Sequence, residues 1–241
     1  MLPKKPMKVI TQVLTRTTGA DEAATQKALG TAFLVGRGIF MSANHVLGVI
    51  PDTGTEMAVI HVDGTLLTTY AVEVIHQDSF HDIAVARAPE WPDEGWLPIA
   101  PTDDLTVNTD VVSVEYSATH TRILPNGQRA MAITPSFRKG NIVREYVDQP
   151  EVQDFNGYID LSYPALKGAS GAPVVEERSG SVVGMILRNV EQQLLPAHIE
   201  RIVRTDGTKE EYVHYFMPTA QAIRASHLRE ALTRAKEVIG E

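Results

Sequence analysis

The sequence predicts an all-β protein with a single helix at its C-terminal end. Short runs rich in Val, Ile, Thr and Tyr stop at Gly, Pro, Asp or Asn, as strands do. No helical period separates them, which favours a sandwich or barrel over a parallel βαβ sheet. Only the final stretch, Thr219 to Ile239, has an amphipathic helical pattern.

In chain order the first strands are Lys8 to Thr15, Thr31 to Val35 and Ile39 to Ser42. The second and third, split by Gly36-Arg37-Gly38, read as a β-hairpin. Met57 to Val62, Ala71 to Ile75 and Ile83 to Ala86 follow, then Val111 to Tyr116, Arg129 to Pro135 and Gly157 to Leu161. Ala172 to Glu176, Ser181 to Leu187 and Tyr212 to Met217 complete the set. The helix places Ile223, Leu228, Leu232, Ala235 and Ile239 roughly on one face, with Thr219 after Pro218 as its N-cap. Such a face either covers a sheet or binds a partner. Asp148 to Asn156 and Asn189 to Lys209 are polar and read as loops, the second holding Pro196 and the turn signal Asp206-Gly207.

The composition narrows the function classes. At 241 residues and 43% hydrophobic content the chain suffices for one large domain or two small ones. Its 22 Lys+Arg against 30 Asp+Glu give a net charge of −8, which argues against non-specific nucleic-acid binding. The absence of cysteine removes a disulfide framework, a thiolate nucleophile and the common structural zinc sites. No His-Glu-x-x-His spacing occurs, so neither a metal nor a cofactor is expected. No run reaches the roughly 18 apolar residues of a membrane span, and the N-terminus lacks an uninterrupted apolar stretch. The expected setting is therefore cytoplasmic, with no membrane or nucleic-acid partner.

The most informative stretch is Gly168-Ala169-Ser170-Gly171-Ala172-Pro173, a serine among small residues. A nucleophilic serine needs such neighbours, because the carbonyl it attacks must reach backbone N–H groups beside it. Inert turns share that composition, so the serine needs a base and an orienting carboxylate elsewhere. Of eight histidines, His45 stands out, following the predicted hairpin at the end of a strand. In His81-Asp82-Ile83-Ala84-Val85-Ala86, Asp82 immediately precedes an apolar strand. There it either caps the strand or pairs with an imidazole, since a buried carboxylate needs a partner.

The order His45, Asp82, Ser170 is that of chymotrypsin-fold enzymes. The blocks Gly-Thr-Ala-Phe-Leu-Val with Ser-Ala-Asn-His-Val, His-Asp-Ile-Ala-Val, and Gly-Ala-Ser-Gly-Ala-Pro-Val-Val resemble the signature blocks of trypsin-like serine peptidases. They are most similar to the bacterial, disulfide-free HtrA-like peptidase domain, without its PDZ segment. Tyr-Phe-Met-Pro-Thr before the final helix also resembles the end of that domain. The resemblance runs from about Lys8 to the C-terminus.

It implies two six-stranded antiparallel β-barrels, over about residues 8–100 and 108–217, with the helix at 219–239. A cleft between them would hold His45, Asp82 and Ser170. Ser170 would attack the carbonyl, His45 would take and return its proton, and Asp82 would fix the tautomer. The Gly168 and Ser170 N–H groups would form the oxyanion hole, Gly168 being free to adopt positive φ. Pro164 falls where trypsins carry the aspartate at the base of the substrate pocket. Leu187 and Asn189, with Arg188 between them, would line the strand beside it. With no acid at that base, small or medium apolar side chains are expected rather than Lys or Arg.

Ala169 stands where zymogen-activated trypsins have the aspartate that pairs with a new N-terminus, so that activation route is not expected. Ala172 replaces the glycine usual after Ser-Gly, which also leaves the lipase pattern Gly-x-Ser-x-Gly half matched. The resulting expectation is a serine endopeptidase acting on protein or peptide substrates, with a regulatory protein partner as the second partner class. Gating by the 189–209 loop is expected with it. The alternative is a catalytically silent or partner-activated trypsin-like domain used for binding.

Overall fold

The computed structural model describes residues 8–17, 26–49, 54–63, 66–92, 95–117, 120–123, 129–146, 157–193, 198–204, 207–213 and 216–240. Strands β1 (Ile10–Thr17), β2 (Gln26–Gly36) and β3 (Ile39–Ala43) lead into a single helical turn, α1 (Asn44–Leu47). β4 (Thr55–Asp63), β5 (Leu66–Ala71), β6 (Glu73–Asp78) and β7 (Ile83–Arg87) follow. Together they form one antiparallel sheet of order β5-β4-β1-β2-β3-β7-β6.

β8 (Asp110–Glu115), β9 (His120–Ile123), β10 (Arg129–Ala132) and β11 (Ser136–Glu145) open the second half. It continues with β12 (Tyr158–Leu161), β13 (Pro173–Glu176), β14 (Val182–Gln193), β15 (His198–Arg204), β16 (Gly207–Val213) and β17 (Phe216–Arg224). The closed barrel runs β11-β12-β17-β14-β13-β8, while β9–β10 and β15–β16 form separate hairpins. α2 (Ala225–Ile239) ends the fold.

The architecture is mostly β, with one closed six-stranded barrel and a C-terminal helix. The first half departs from the expected second barrel: among the described residues its seven strands make a sheet that does not close. The predicted strand at 71–75 is in fact the junction of β5 and β6, where the Val72 N–H donates to the Met57 carbonyl at 3.0 Å. Each neighbouring strand thereby finds its own partner, β4 or β7.

Two further boundaries differ from expectation. The helix begins at Ala225, and Thr219 lies inside β17 rather than at an N-cap. Thr219, Ala220, Gln221 and Ala222 pair with β14, and Ala222 and Gln221 also with β12. Pairing on both edges outweighs the helix propensity of Ala, Gln and Arg. The stretch at 189–209 is strand rather than loop for most of its length, with β14 continuing to Gln193 and β15–β16 folding as a hairpin. The predicted loop at 148–156 lies outside the described residues.

The halves share their packing. The larger apolar core contains Phe33, Phe40 and Met41 of the first sheet, but also Val182, Met185 and Leu187 of the barrel and Leu228, Ala231 and Ala235 of α2. That buried stripe makes α2 a covering helix laid across both halves. The connection after β7 is tied to each in turn. Leu97 N–H donates to the Leu34 carbonyl at 2.9 Å, and Ala100 N–H to the Val182 carbonyl at 2.8 Å. A smaller cluster fills the barrel and includes Leu161, Tyr163, Ala169, Ala172, Val174 and Ala220.

Candidate active site

His45 lies in the first turn of α1, directly after β3. A helix of one turn leaves its leading N–H groups without internal acceptors, and Asp82 supplies them. The Asp82 carbonyl accepts from Asn44 N–H at 2.9 Å, and its Oδ1 from His45 N–H at 2.9 Å. Oδ2 is 2.6 Å from His45 Nδ1. A carboxylate can only accept there, so Nδ1 carries the proton and Nε2 presents its lone pair. Asp82 reaches this position with φ of 57°, a left-handed conformation that aspartate tolerates better than most residues.

The side chains of His45 and Asp82 are 49% and 32% exposed. A pair this open adds little to folding stability; its consequence is the tautomer and the proton affinity. The hydrogen bond to Asp82 lifts the His45 imidazole above its ordinary value, partial burial pulls it down less strongly, and the carboxylate charge adds to the rise.

Ser170 comes from the other half, in the loop between β12 and β13. The Ala169 N–H donates to the Leu166 carbonyl at 2.9 Å, and Gly168 has φ of +98°. A hydrogen-bonded turn with positive φ at its third residue is type II, which requires glycine there. A Cβ at Gly168 would also lie 2.8 Å from the Tyr116 carbonyl oxygen. Among the described residues neither the Gly168 nor the Ser170 N–H has an acceptor. Ala169 is fully buried in the apolar barrel cluster, where a carboxylate would need a partner.

The loop is seated on the sheet that carries His45. Thr31 N–H donates to the Ser170 carbonyl at 2.9 Å. Gly171, at φ of +84°, is pressed against β2 and β3 so closely that a Cβ would fall 2.1 Å from both Ser42 Oγ and the Thr31 carbonyl oxygen. Ser42 Oγ in turn donates to that carbonyl at 2.6 Å.

The Ser170 hydroxyl donates to the Leu187 carbonyl at 3.1 Å. Leu187 sits where the β14–β17 register shifts, between Ile186 and Arg188, and such bulges re-aim backbone groups beside active sites. Arg188 points elsewhere, its Nε donating to Gln221 Oε1 at 2.9 Å. The Asn189 amide pairs with both backbone groups of Ala165 at 2.7 Å each, accepting from its N–H and donating to its carbonyl. That clamp ties β14 to the segment next to half-buried Pro164.

A second His–Asp pair lies four residues before the first carboxylate. His81 Nδ1 is 2.7 Å from Asp78 Oδ2, and Asp78 Oδ1 accepts from the Phe80 and His81 N–H groups at 3.0 Å. Burial pushes the Asp78 carboxyl up, but the hydrogen bonds from His81 and Phe80 outweigh it and hold the group below its ordinary value. The His81 ring stacks on His227 of α2 with centroids 4.0 Å apart. Among the described residues no cluster of three His, Asp or Glu side chains is placed to hold a metal ion.

Sequence reasoning passed over Thr31 and Ser42. Both are fully buried, and the available signal was a hydroxyl inside an otherwise apolar strand, the kind of buried polar group that calls for a partner.

The sequence model of the trypsin-like peptidase domain matches residues 30–185, about two thirds of the chain. No curated protein sequence matches it. Among solved structures it is similar to Rv3671c from M. tuberculosis H37Rv, a serine-to-alanine mutant in an inactive form. The TM-score is 0.55 at 16% identity, over 96% of this chain and 88% of that one. It is also similar to the HtrA-type protease AlgW with a decapeptide, at a TM-score of 0.60 and 13% identity, over 98% of this chain and 65% of AlgW. At these identities the likeness is one of fold.

Proposed function

The chain belongs to the trypsin-like peptidase domain family, and from that premise we propose that it is a serine endopeptidase in which Ser170, His45 and Asp82 perform the chemistry. The observation that carries this reading is the His45–Asp82 contact on the same sheet that seats the Ser170 loop through Thr31 and Gly171.

Ser170 Oγ attacks the scissile carbonyl while His45 Nε2 accepts its proton, giving a tetrahedral intermediate whose oxyanion lies against the Gly168 and Ser170 N–H groups. Asp82 stabilises the imidazolium. His45 then returns the proton to the leaving amine, and water repeats the cycle on the acyl-enzyme. The HtrA-type neighbour bound to a decapeptide supports protein or peptide substrates.

The side chain preceding the scissile bond falls between the 164–168 segment and β14. Pro164 offers no charge there and Leu187 is buried, while the Asn189 amide is engaged with Ala165. Small or medium apolar side chains fit that lining. Incubation with a peptide library should give cleavage after such residues by the wild type and none by Ser170→Ala. Dominant cleavage after Lys or Arg would overturn the specificity, and no cleavage by folded wild-type protein would overturn the activity.

One observation favours a second reading, a domain switched on by a partner. The Ser170 proton is directed to the Leu187 carbonyl rather than to His45, so the nucleophile must rotate before it can react. A partner or the substrate itself would supply that rotation.

A further inference from the structure

We propose that the Thr31 hydroxyl is the positioning group that holds the oxyanion loop in shape, making the hole depend on contact between the two halves of the fold. The proposal rests on the reading of Ser170 as nucleophile and adds to it a residue that never touches substrate.

Thr31 belongs to β2 of the open sheet and is fully buried. Its Oγ1 accepts from the Tyr116 N–H at 3.0 Å and donates to the Gly168 carbonyl at 2.8 Å. A hydroxyl has one proton to give and lone pairs to receive, so both roles are filled at once. Tyr116 follows β8 of the barrel, and its own hydroxyl donates back to the Ile10 carbonyl of β1 at 3.0 Å. One side chain from the first half therefore joins two separate backbone segments of the second.

The consequence falls on the peptide between Gly168 and Ala169. Thr31 holds its carbonyl, and the Leu166 carbonyl holds its N–H. With that peptide fixed at both ends, the position of the Gly168 N–H is left to the two Gly168 torsions, φ and ψ. The Tyr116 backbone lies close against Gly168, and Thr31 holds that backbone too. Glycine is the residue most able to turn over, so the loop that needs Gly168 for its shape also needs an outside anchor. Thr31 reaches past Gly168 as well, since its N–H donates to the Ser170 carbonyl at 2.9 Å. The backbone bond survives replacement of the side chain by valine; the hydroxyl bonds do not.

Thr31→Val is nearly isosteric and leaves the Tyr116 N–H and the Gly168 carbonyl without their buried partner. Thr31→Ser restores the hydroxyl. The test measures amide hydrogen exchange across residues 166–171 together with the rate of fluorophosphonate labelling. Thr31→Val is expected to exchange faster in that segment and to label about 10–100-fold more slowly, short of the 10²–10³ that losing a whole oxyanion donor costs. Thr31→Ser should stay near wild type in both, and with peptide substrate the loss in Thr31→Val should fall on kcat more than on KM. Should Thr31→Val not fold, Thr31→Cys, a weaker donor, takes its place and should lie between Ser and wild-type behaviour on one side and full loss on the other. Unchanged exchange and labelling in the hydroxyl-free variant, or equal loss in Thr31→Ser, overturns the proposal. If no variant labels but the exchange difference persists, the anchor stands and the peptidase reading falls.

Discussion

Among the described residues two His–Asp pairs lie close together in sequence, and we read the surroundings of His45–Asp82 as those of a base. In His45–Asp82 the imidazole and carboxylate lie 2.6 Å apart, and in His81–Asp78 they lie 2.7 Å apart. In both, one carboxylate oxygen accepts backbone N–H groups and the other accepts the ring. The difference lies beyond the contact. His45 is half exposed on the sheet that receives the Ser170 loop, whereas His81 is stacked under His227 of the covering helix. A short imidazole–carboxylate contact fixes a tautomer; in the function we propose, the Ser170 loop seated on the neighbouring strands gives that tautomer a use. We read His45–Asp82 as the chemical pair and His81–Asp78 as a strut between the β6–β7 turn and α2.

Replacing the histidines gives the widest separation. His45→Ala should lower kcat by on the order of 10⁴–10⁶, while His81→Ala should change it less than about threefold, since that ring meets no reacting atom. Steady-state hydrolysis of one peptide substrate checks both, and comparable losses would erase the distinction. The carboxylates come next. Asp82→Asn should cost about 10⁴ in kcat by disturbing the tautomer. Asn is the replacement to use, since it tolerates the left-handed backbone at that position.

The pairs should also separate in pH dependence. His45 must be neutral to act as a base, and Asp82 holds its pKa above 6.5, so kcat/KM should rise with pH through a midpoint above that value. The protonated pair adds its small stability below pH 6.5 and loses it as pH rises through the same midpoint. The lowered Asp78 carboxyl works in the other direction. Its contribution is complete above its unfolded value near 3.8 and fades as acid protonates it. The smallest effect expected is thus in Asp78→Asn: a loss of about 1 kcal/mol or less at neutral pH, shrinking in acid, with the activity profile unmoved. Thermal melts across pH check it.

The two pairs also show what was legible in the sequence. His45, Asp82 and Ser170 could be picked out because each sits at a strand end or small-residue turn whose local pattern is unusual. Their order then matched one family. His81 lay in the same motif, but nothing local says that a ring will stack on a helix 146 positions later. Thr31 was hidden similarly, as its partners Tyr116 and Gly168 are distant in sequence. The boundary between β17 and α2 was obscured by Ala220, Gln221 and Ala222, which suit a helix until β14 pairs with all three and β12 with the last two. β15 and β16 were missed because charged residues interrupt their apolar alternation. Closure of one half and, among the described residues, not of the other depends on strand pairing across the sheet, which no local pattern records.

The most direct test of the central claim is intact-mass analysis after fluorophosphonate treatment of the wild type, His45→Ala, His81→Ala and Ser170→Ala. A single adduct mapping to Ser170 is expected in the wild type and in His81→Ala, with none in the other two. An unlabelled but folded wild type, or an adduct that survives loss of His45 and disappears with His81, would contradict it.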